Sequence, residues 1–169
     1  MSITLKRIGV VGAGQMGNGI AHVVALAGYD VVLNDLSEDR LKAALDEIRV
    51  NMTRQASRGQ ISGDDMDKAL KRITTSTDLA ALKDVDLAIE AATEDEQVKR
   101  KIFAALCPLL RADALVATNT SSISITRLAA STDRPEKFLG IHFMNPVPVM
   151  KLVELIRGIA TDEPTYRAV

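Results

Sequence analysis

The segment Ile8-Gly9-Val10-Val11-Gly12-Ala13-Gly14-Gln15-Met16-Gly17 limits what this chain can fold into more than any other, because an apolar run passes straight into glycine-spaced residues and then a helical pattern. Gly12 permits a tight turn, Gly14 lets the backbone approach a diphosphate, and Gly17 lets the helix lie close to the strand before it. The free N–H groups of the helix start then face the anion. Gln15 and Met16, between the second and third glycines, are expected to touch the same dinucleotide. Asp35 follows the next apolar run, eighteen residues beyond Gly17, where a carboxylate can accept hydrogen bonds from both hydroxyls of an adenosine ribose. The plainer alternative is a structural turn, with Asp35 capping the following helix. Asp35 would repel a 2′-phosphate, and Arg40 stands a turn or more away, so NAD is expected in preference to NADP.

Apolar runs and helical periods alternate along the rest of the chain. Strands are expected at Arg7–Val11, Asp30–Asn34, Arg72–Thr74, Val85–Glu90, Ala114–Thr118 and Phe138–Phe143. Helices are expected at Gly14–Ala27, from a Ser37 cap through Gln55, at Glu94–Leu109 and near Ile123–Ala130. Arg58-Gly59-Gln60 and Ser62-Gly63 read as a turn inside an excursion before the third strand. Strand and helix in alternation predict an α/β fold, doubly wound, with a mainly parallel sheet covered by helices on both faces. A length of 169 residues, 47% of them hydrophobic, supports one domain with one sizeable core.

Composition narrows the partners. A net charge of −1, three phenylalanines, two tyrosines and no tryptophan offer no basic, stacking-rich surface for nucleic acid. No run of about 18 apolar residues predicts a membrane span, and the lone Cys107 predicts no internal disulfide. A cytoplasmic location follows as the expectation. Two distant histidines and one cysteine predict no metal centre.

The second informative segment is His142-Phe143-Met144-Asn145-Pro146-Val147-Pro148-Val149-Met150-Lys151-Leu152-Val153-Glu154. In the strand before it, Leu139, Ile141 and Phe143 share one face, Gly140 and His142 the other. Met150–Ile156 reads as a further strand, and a hairpin symmetric about Pro148 would set His142 opposite Glu154. The carboxylate would then fix the imidazole tautomer and face its protonated form, as a general base requires. A hydrogen-bonded structural histidine beside a surface glutamate is the alternative. Ser121, in Thr118-Asn119-Thr120-Ser121-Ser122, follows a strand end where ligands of such sheets collect; it can donate to a substrate oxygen, or Ser121 or Ser122 can cap the next helix. Glu94 and Lys99 flank the start of another helix, where capping and a solvated face are also open. His22, within the first helix, reads as a packing or surface residue.

These residues resemble the NAD-binding domain of the 3-hydroxyacyl-CoA dehydrogenases, and within that family the bacterial members acting on 3-hydroxybutyryl-CoA. The resemblance runs from Ile8 to about Asp162 and is carried by Ala117-Thr118-Asn119-Thr120-Ser121-Ser122 and by Gly140 through Glu154. It implies a Rossmann-like fold, NAD as cofactor and an acyl-CoA substrate. It implies His142 as catalytic base, Glu154 as its partner and Ser121 on the substrate oxygen. It implies cofactor contacts at the glycines, Asp35, Glu94, Lys99 and Asn145, and coenzyme A contacts at Arg54 and Arg58. The family adds an all-helical C-terminal domain that completes the acyl pocket and makes the homodimer contact. Asp162-Glu163-Pro164 reads as a helix start with only five residues after it, so residues 1–169 are expected to be one domain of a longer enzyme. Alternatives to the enzyme are a non-catalytic NAD-binding module, a structural relative akin to the lens λ-crystallins, and a different hydroxyacid dehydrogenase.

Overall fold

Seven strands form a single sheet in the order β3-β2-β1-β4-β5-β6-β7. The structure, a computed structural model, describes residues 3–169. The strands are β1 (Arg7–Val11), β2 (Asp30–Asn34), β3 (Ile73–Ser76), β4 (Leu87–Glu90), β5 (Leu115–Thr118), β6 (Phe138–Phe143) and β7 (Val153–Arg157). The first six run parallel, and β7 returns antiparallel beside β6. The α/β expectation therefore holds. The order of the strands reverses between β1 and β4, which opens a crevice at their carboxyl ends.

The strands β1, β2, β4 and β5 read as nearly unbroken apolar runs because both of their faces are covered. On one side α1 (Gln15–Leu26), α2 (Glu38–Ser57) and α3 (Gly63–Arg72) enclose a core containing Val10, Ile20, Leu33, Ile48 and Met52. On the other, α4 (Glu96–Leu106) and α5 (Ile125–Ala129) enclose Val116, Phe103, Leu106, Leu128 and Phe138. A last helix, α6 (Glu163–Ala168), starts at the Asp162 cap. The helix α1 buries Ile20, Ala21, Val24 and Ala25, one stripe of a 3.6-residue period, and Gly28 closes it with a φ of +101°. The stripe of α2 is Leu41, Ala44, Ile48 and Met52. Its Ser37 cap accepts from the Arg40 N–H.

Several boundaries depart from expectation. The excursion contains a second helix, α3, which the sequence reading does not separate from the turn; it is ten residues long and mostly polar, with Ala69 buried and Met66 and Leu70 packed beside it. The last strand begins at Val153 rather than Met150, because Phe143 with Val153 is the last ladder pair before a loop containing two prolines. The helix expected from Ile123 starts at Ile125 with Ser124 as its cap, so neither Ser121 nor Ser122 is the cap. None of the helices described is long and apolar enough to cross a membrane.

Candidate active site

The glycine turn sits at the carboxyl end of β1, beside the point where the strand order reverses. Gly12 has a φ of +104°, and a Cβ there would lie 2.7 Å from the Ala91 carbonyl oxygen. A Cβ on Gly17 would lie 1.6 Å from the Gly12 oxygen, which locks the start of α1 onto the turn. Gly14 is different: a Cβ would meet nothing within 4 Å, so the bare backbone borders open space at the helix start. That is the cradle a diphosphate needs, and Gln15 and Met16 stand at its rim. Asp35 lies just beyond β2, where its carboxylate accepts from the Ala13 N–H at 2.9 Å and the Ser37 N–H at 3.1 Å. Ser37, not Asp35, caps α2. Asp35 thus ties the glycine turn to the second strand while part of it stays open to solvent.

At the far side of the sheet, β6 and β7 pair with His142 opposite Glu154, the register expected from symmetry about Pro148. Nδ1 of His142 is 2.8 Å from Oε2 of Glu154. A carboxylate only accepts, so Nδ1 carries the hydrogen, and in the neutral ring that leaves the lone pair on Nε2. Strand parity acts as read: Leu139, Ile141 and Phe143 join the α1–α2 core, and Phe138 the opposite one. Asn119, just after β5, accepts from the Phe143 N–H at 2.9 Å and thereby pins the end of the histidine strand. Sequence reading attached no role to Asn119.

The loop after β5 is organised by Glu94. Its Oε1 accepts from the hydroxyls of Thr120 and Ser122 and from the Ser121 N–H. Burial opposes ionisation of Glu94, but these bonds and the Lys99 ammonium outweigh it, so its carboxyl is held below the ordinary glutamate range. Asp95, not Glu94, caps α4. Lys99 does not lie on a solvated face: its side chain is 1% exposed and its ammonium sits 2.7 Å from Glu90, itself fully buried. Burial against a carboxylate removes the solvated-face alternative.

A cleft of about 750 Å³ lies between α2 and the proline loop rather than over the glycine turn. Arg54, Gln55 and Arg58 line one wall, Pro146, Pro148 and Lys151 the other. Lys151 is a third cation that sequence reading passed over. Asn145, exposed at the mouth of the loop, precedes Pro146. The loop is held against α1 by Val147, whose Cβ would lie 2.8 Å from a Cβ built on Gly19. The wall itself is fixed to α1 by Asn18 on Glu47 and His22 on Gln55, each at 2.8 Å. His22 is therefore a packing residue, 1% exposed, and burial lowers its pKa against the opposing Gln55 bond.

Residues 7–169 match the family model described as 3-hydroxyacyl-CoA dehydrogenase, NAD binding domain. The chain belongs to this family. It is 61% identical over 168 residues to a 3-hydroxybutyryl-CoA dehydrogenase of Bradyrhizobium diazoefficiens, covering 99% of this chain and 57% of that protein. A 3-hydroxybutyryl-CoA dehydrogenase of Mycobacterium tuberculosis is 48% identical over 164 residues, 96% of this chain and 57% of that protein. The crystal structure of (S)-3-hydroxybutyryl-CoA dehydrogenase from Ralstonia eutropha superposes with a TM-score of 0.95 at 43% identity, covering 98% of this chain and 58% of that one. The chain thus spans little more than half the length of these relatives. The glycine turn and Asp35, at the ends of β1 and β2, lie within the matched residues.

Proposed function

We propose that this chain is the NAD-binding domain of an enzyme that interconverts 3-hydroxybutyryl-CoA and its 3-oxo counterpart in the cytoplasm. In this reading a helical domain of the full-length protein completes the acyl pocket and the homodimer contact. The observation that carries the proposal is the His142–Glu154 pair, 2.8 Å apart on a hairpin beside a dinucleotide cradle. NAD, when bound, supplies the acceptor for a hydride. The glycine turn and Asp35 hold its diphosphate and adenosine ribose, and Gln15, Met16, Glu94, Lys99 and Asn145 complete its surroundings. His142 Nε2 removes the proton of the 3-hydroxyl as the C3–H bond breaks, and in reverse returns it to the developing alkoxide. Glu154 holds the ring by Nδ1, so the lone pair stays aimed at substrate and a carboxylate faces the charge gained. Ser121 donates to the same substrate oxygen.

Arg54 and Arg58, joined by Lys151 across the cleft, present positive charge for the phosphates of coenzyme A. The test is reduction of acetoacetyl-CoA by NADH with the full-length protein, followed at the NADH absorbance band; no turnover above background removes the proposal. Arg54→Ala combined with Arg58→Ala is expected to raise the KM for acetoacetyl-CoA about tenfold and leave the NADH Kd unchanged. An unchanged KM would take the coenzyme away from this cleft.

Cofactor choice is tested separately. Asp35→Ser removes the ribose acceptor and the charge that repels a 2′-phosphate, so NADH affinity should fall about tenfold while NADPH gains in relative terms. Parallel titrations with both nucleotides read this, and an unaltered ratio of the two affinities counts against the ribose role.

A further inference from the structure

The buried pair Glu90–Lys99 lies beneath the candidate site, and every polar atom of it is engaged. Glu90, the last residue of β4, accepts from Lys99 Nζ at 2.7 Å and the Thr118 hydroxyl at 2.6 Å on Oε1, and from the Ala92 N–H at 2.8 Å on Oε2. One carboxylate thus joins the ends of β4 and β5, helix α4 and the loop that packs against Gly12. The same ammonium stands 3.9 Å from Oε2 of Glu94, whose other oxygen gathers Thr120, Ser121 and Ser122. The order is carboxylate, ammonium, carboxylate, running from the sheet interior up to the serine loop.

Such a pair is a poor way to gain stability, since taking two charges out of water offsets most of their attraction and an apolar pair of equal volume would pack as well. What it does supply is a positive charge at one place, directly under Glu94. We propose that Glu90 and Lys99 are positioning residues, which fix Glu94 and through it the Thr120–Ser122 loop, so that Ser121 presents its hydroxyl in one orientation next to the His142 strand. β5 and β6 are neighbours, with Thr118 paired to Gly140, so the loop and the histidine leave the sheet side by side. The role assigned to Ser121 rests on the function proposed above; the ordering of its loop does not.

The test uses Glu90→Gln with Lys99→Met in the full-length protein. Changing both removes the two charges together, and the glutamine oxygen still accepts from the Ala92 N–H while its NH2 group donates to the Thr118 hydroxyl oxygen. Hydrogen exchange at the amides of Ser121, Ser122 and Ile123, which bond to Glu94 and Thr120, should quicken about tenfold while β1 and β2 amides keep parent rates. The kcat for acetoacetyl-CoA should fall about tenfold, and Ser121→Ala should cost less in this background than in the parent. Parent exchange rates in the loop, or a Ser121→Ala penalty equal in both backgrounds, overturns the proposal. Should the double variant not fold, Glu94→Gln, at a side chain 42% exposed, must quicken the same amides, and unchanged rates there overturn it equally. A parent protein inactive on acetoacetyl-CoA defeats the proposed function instead, and the exchange rates still decide whether the pair orders the loop.

Discussion

Replacing His142 by glutamine in the full-length protein is expected to cut turnover by about 10²–10⁴-fold while leaving the NADH Kd within about twofold of the parent. The side chain sits at the end of β6 with one nitrogen committed to Glu154 and the other free. Glutamine retains a donor for Glu154 and a similar reach, so the hairpin should persist. It cannot accept a proton near neutral pH, so the loss falls on kcat and not on cofactor binding. The glycine turn and Asp35 lie at the ends of other strands and are untouched. Steady-state reduction of acetoacetyl-CoA with an NADH titration on the same sample decides the matter. Turnover near the parent value would remove His142 as the base.

The second large effect is expected at Gly17. A methyl group there would stand 1.6 Å from the Gly12 carbonyl oxygen, well inside contact distance, and the obstacle is backbone. Gly12 has little room to retreat, because Ala91 and Ala92 border it so closely that a Cβ built on it would lie 2.7 Å from the Ala91 oxygen. Gly17→Ala should therefore displace the helix from the turn, lowering the Tm by about 10 °C or more and weakening NADH binding at least about a hundredfold. Gly14→Ala is the control: a methyl group there meets nothing within 4 Å, so the fold should be intact while NADH affinity drops, since the methyl group fills the diphosphate cradle. Thermal unfolding and NADH titration of both variants separate the two effects. A Gly17→Ala protein with parent Tm and parent affinity would refute the close-packing argument.

The strands β1, β2 and β6 fall where apolar pattern places them, and the pairing of His142 with Glu154 follows from strand parity and a symmetric hairpin. These were legible because side-chain alternation is a local property of extended chain. Helix α3 was not, since its apolar stripe is three residues, Met66, Ala69 and Leu70, in a ten-residue and otherwise polar segment. The sequence also left a solvated face open for Lys99, and the reason is local. A lysine near a helix start carries no mark of burial, and its partner Glu90 is on a different element. Glu94 likewise reads as a helix-start acid until the loop after β5 folds over it.

What the sequence by itself determined is the chemistry available and its coarse order: a strand, a glycine turn and a helix, then an acid, then a histidine and a carboxylate spaced about two prolines. Each depends on backbone sterics or on a period within one segment. Only the tertiary structure decided which groups share an environment. The parallel sheet brings the ends of β1, β4, β5 and β6 to one edge, so Glu90 meets Lys99 and Thr118, Glu94 meets the serine loop, and Asn119 meets Phe143. Those contacts join residues separated by 9 to 28 positions along the chain, where no local pattern reports proximity. Burial then turns ordinary surface residue types into a fixed polar network, because an ionised group removed from water is tolerable only where the fold supplies its partners.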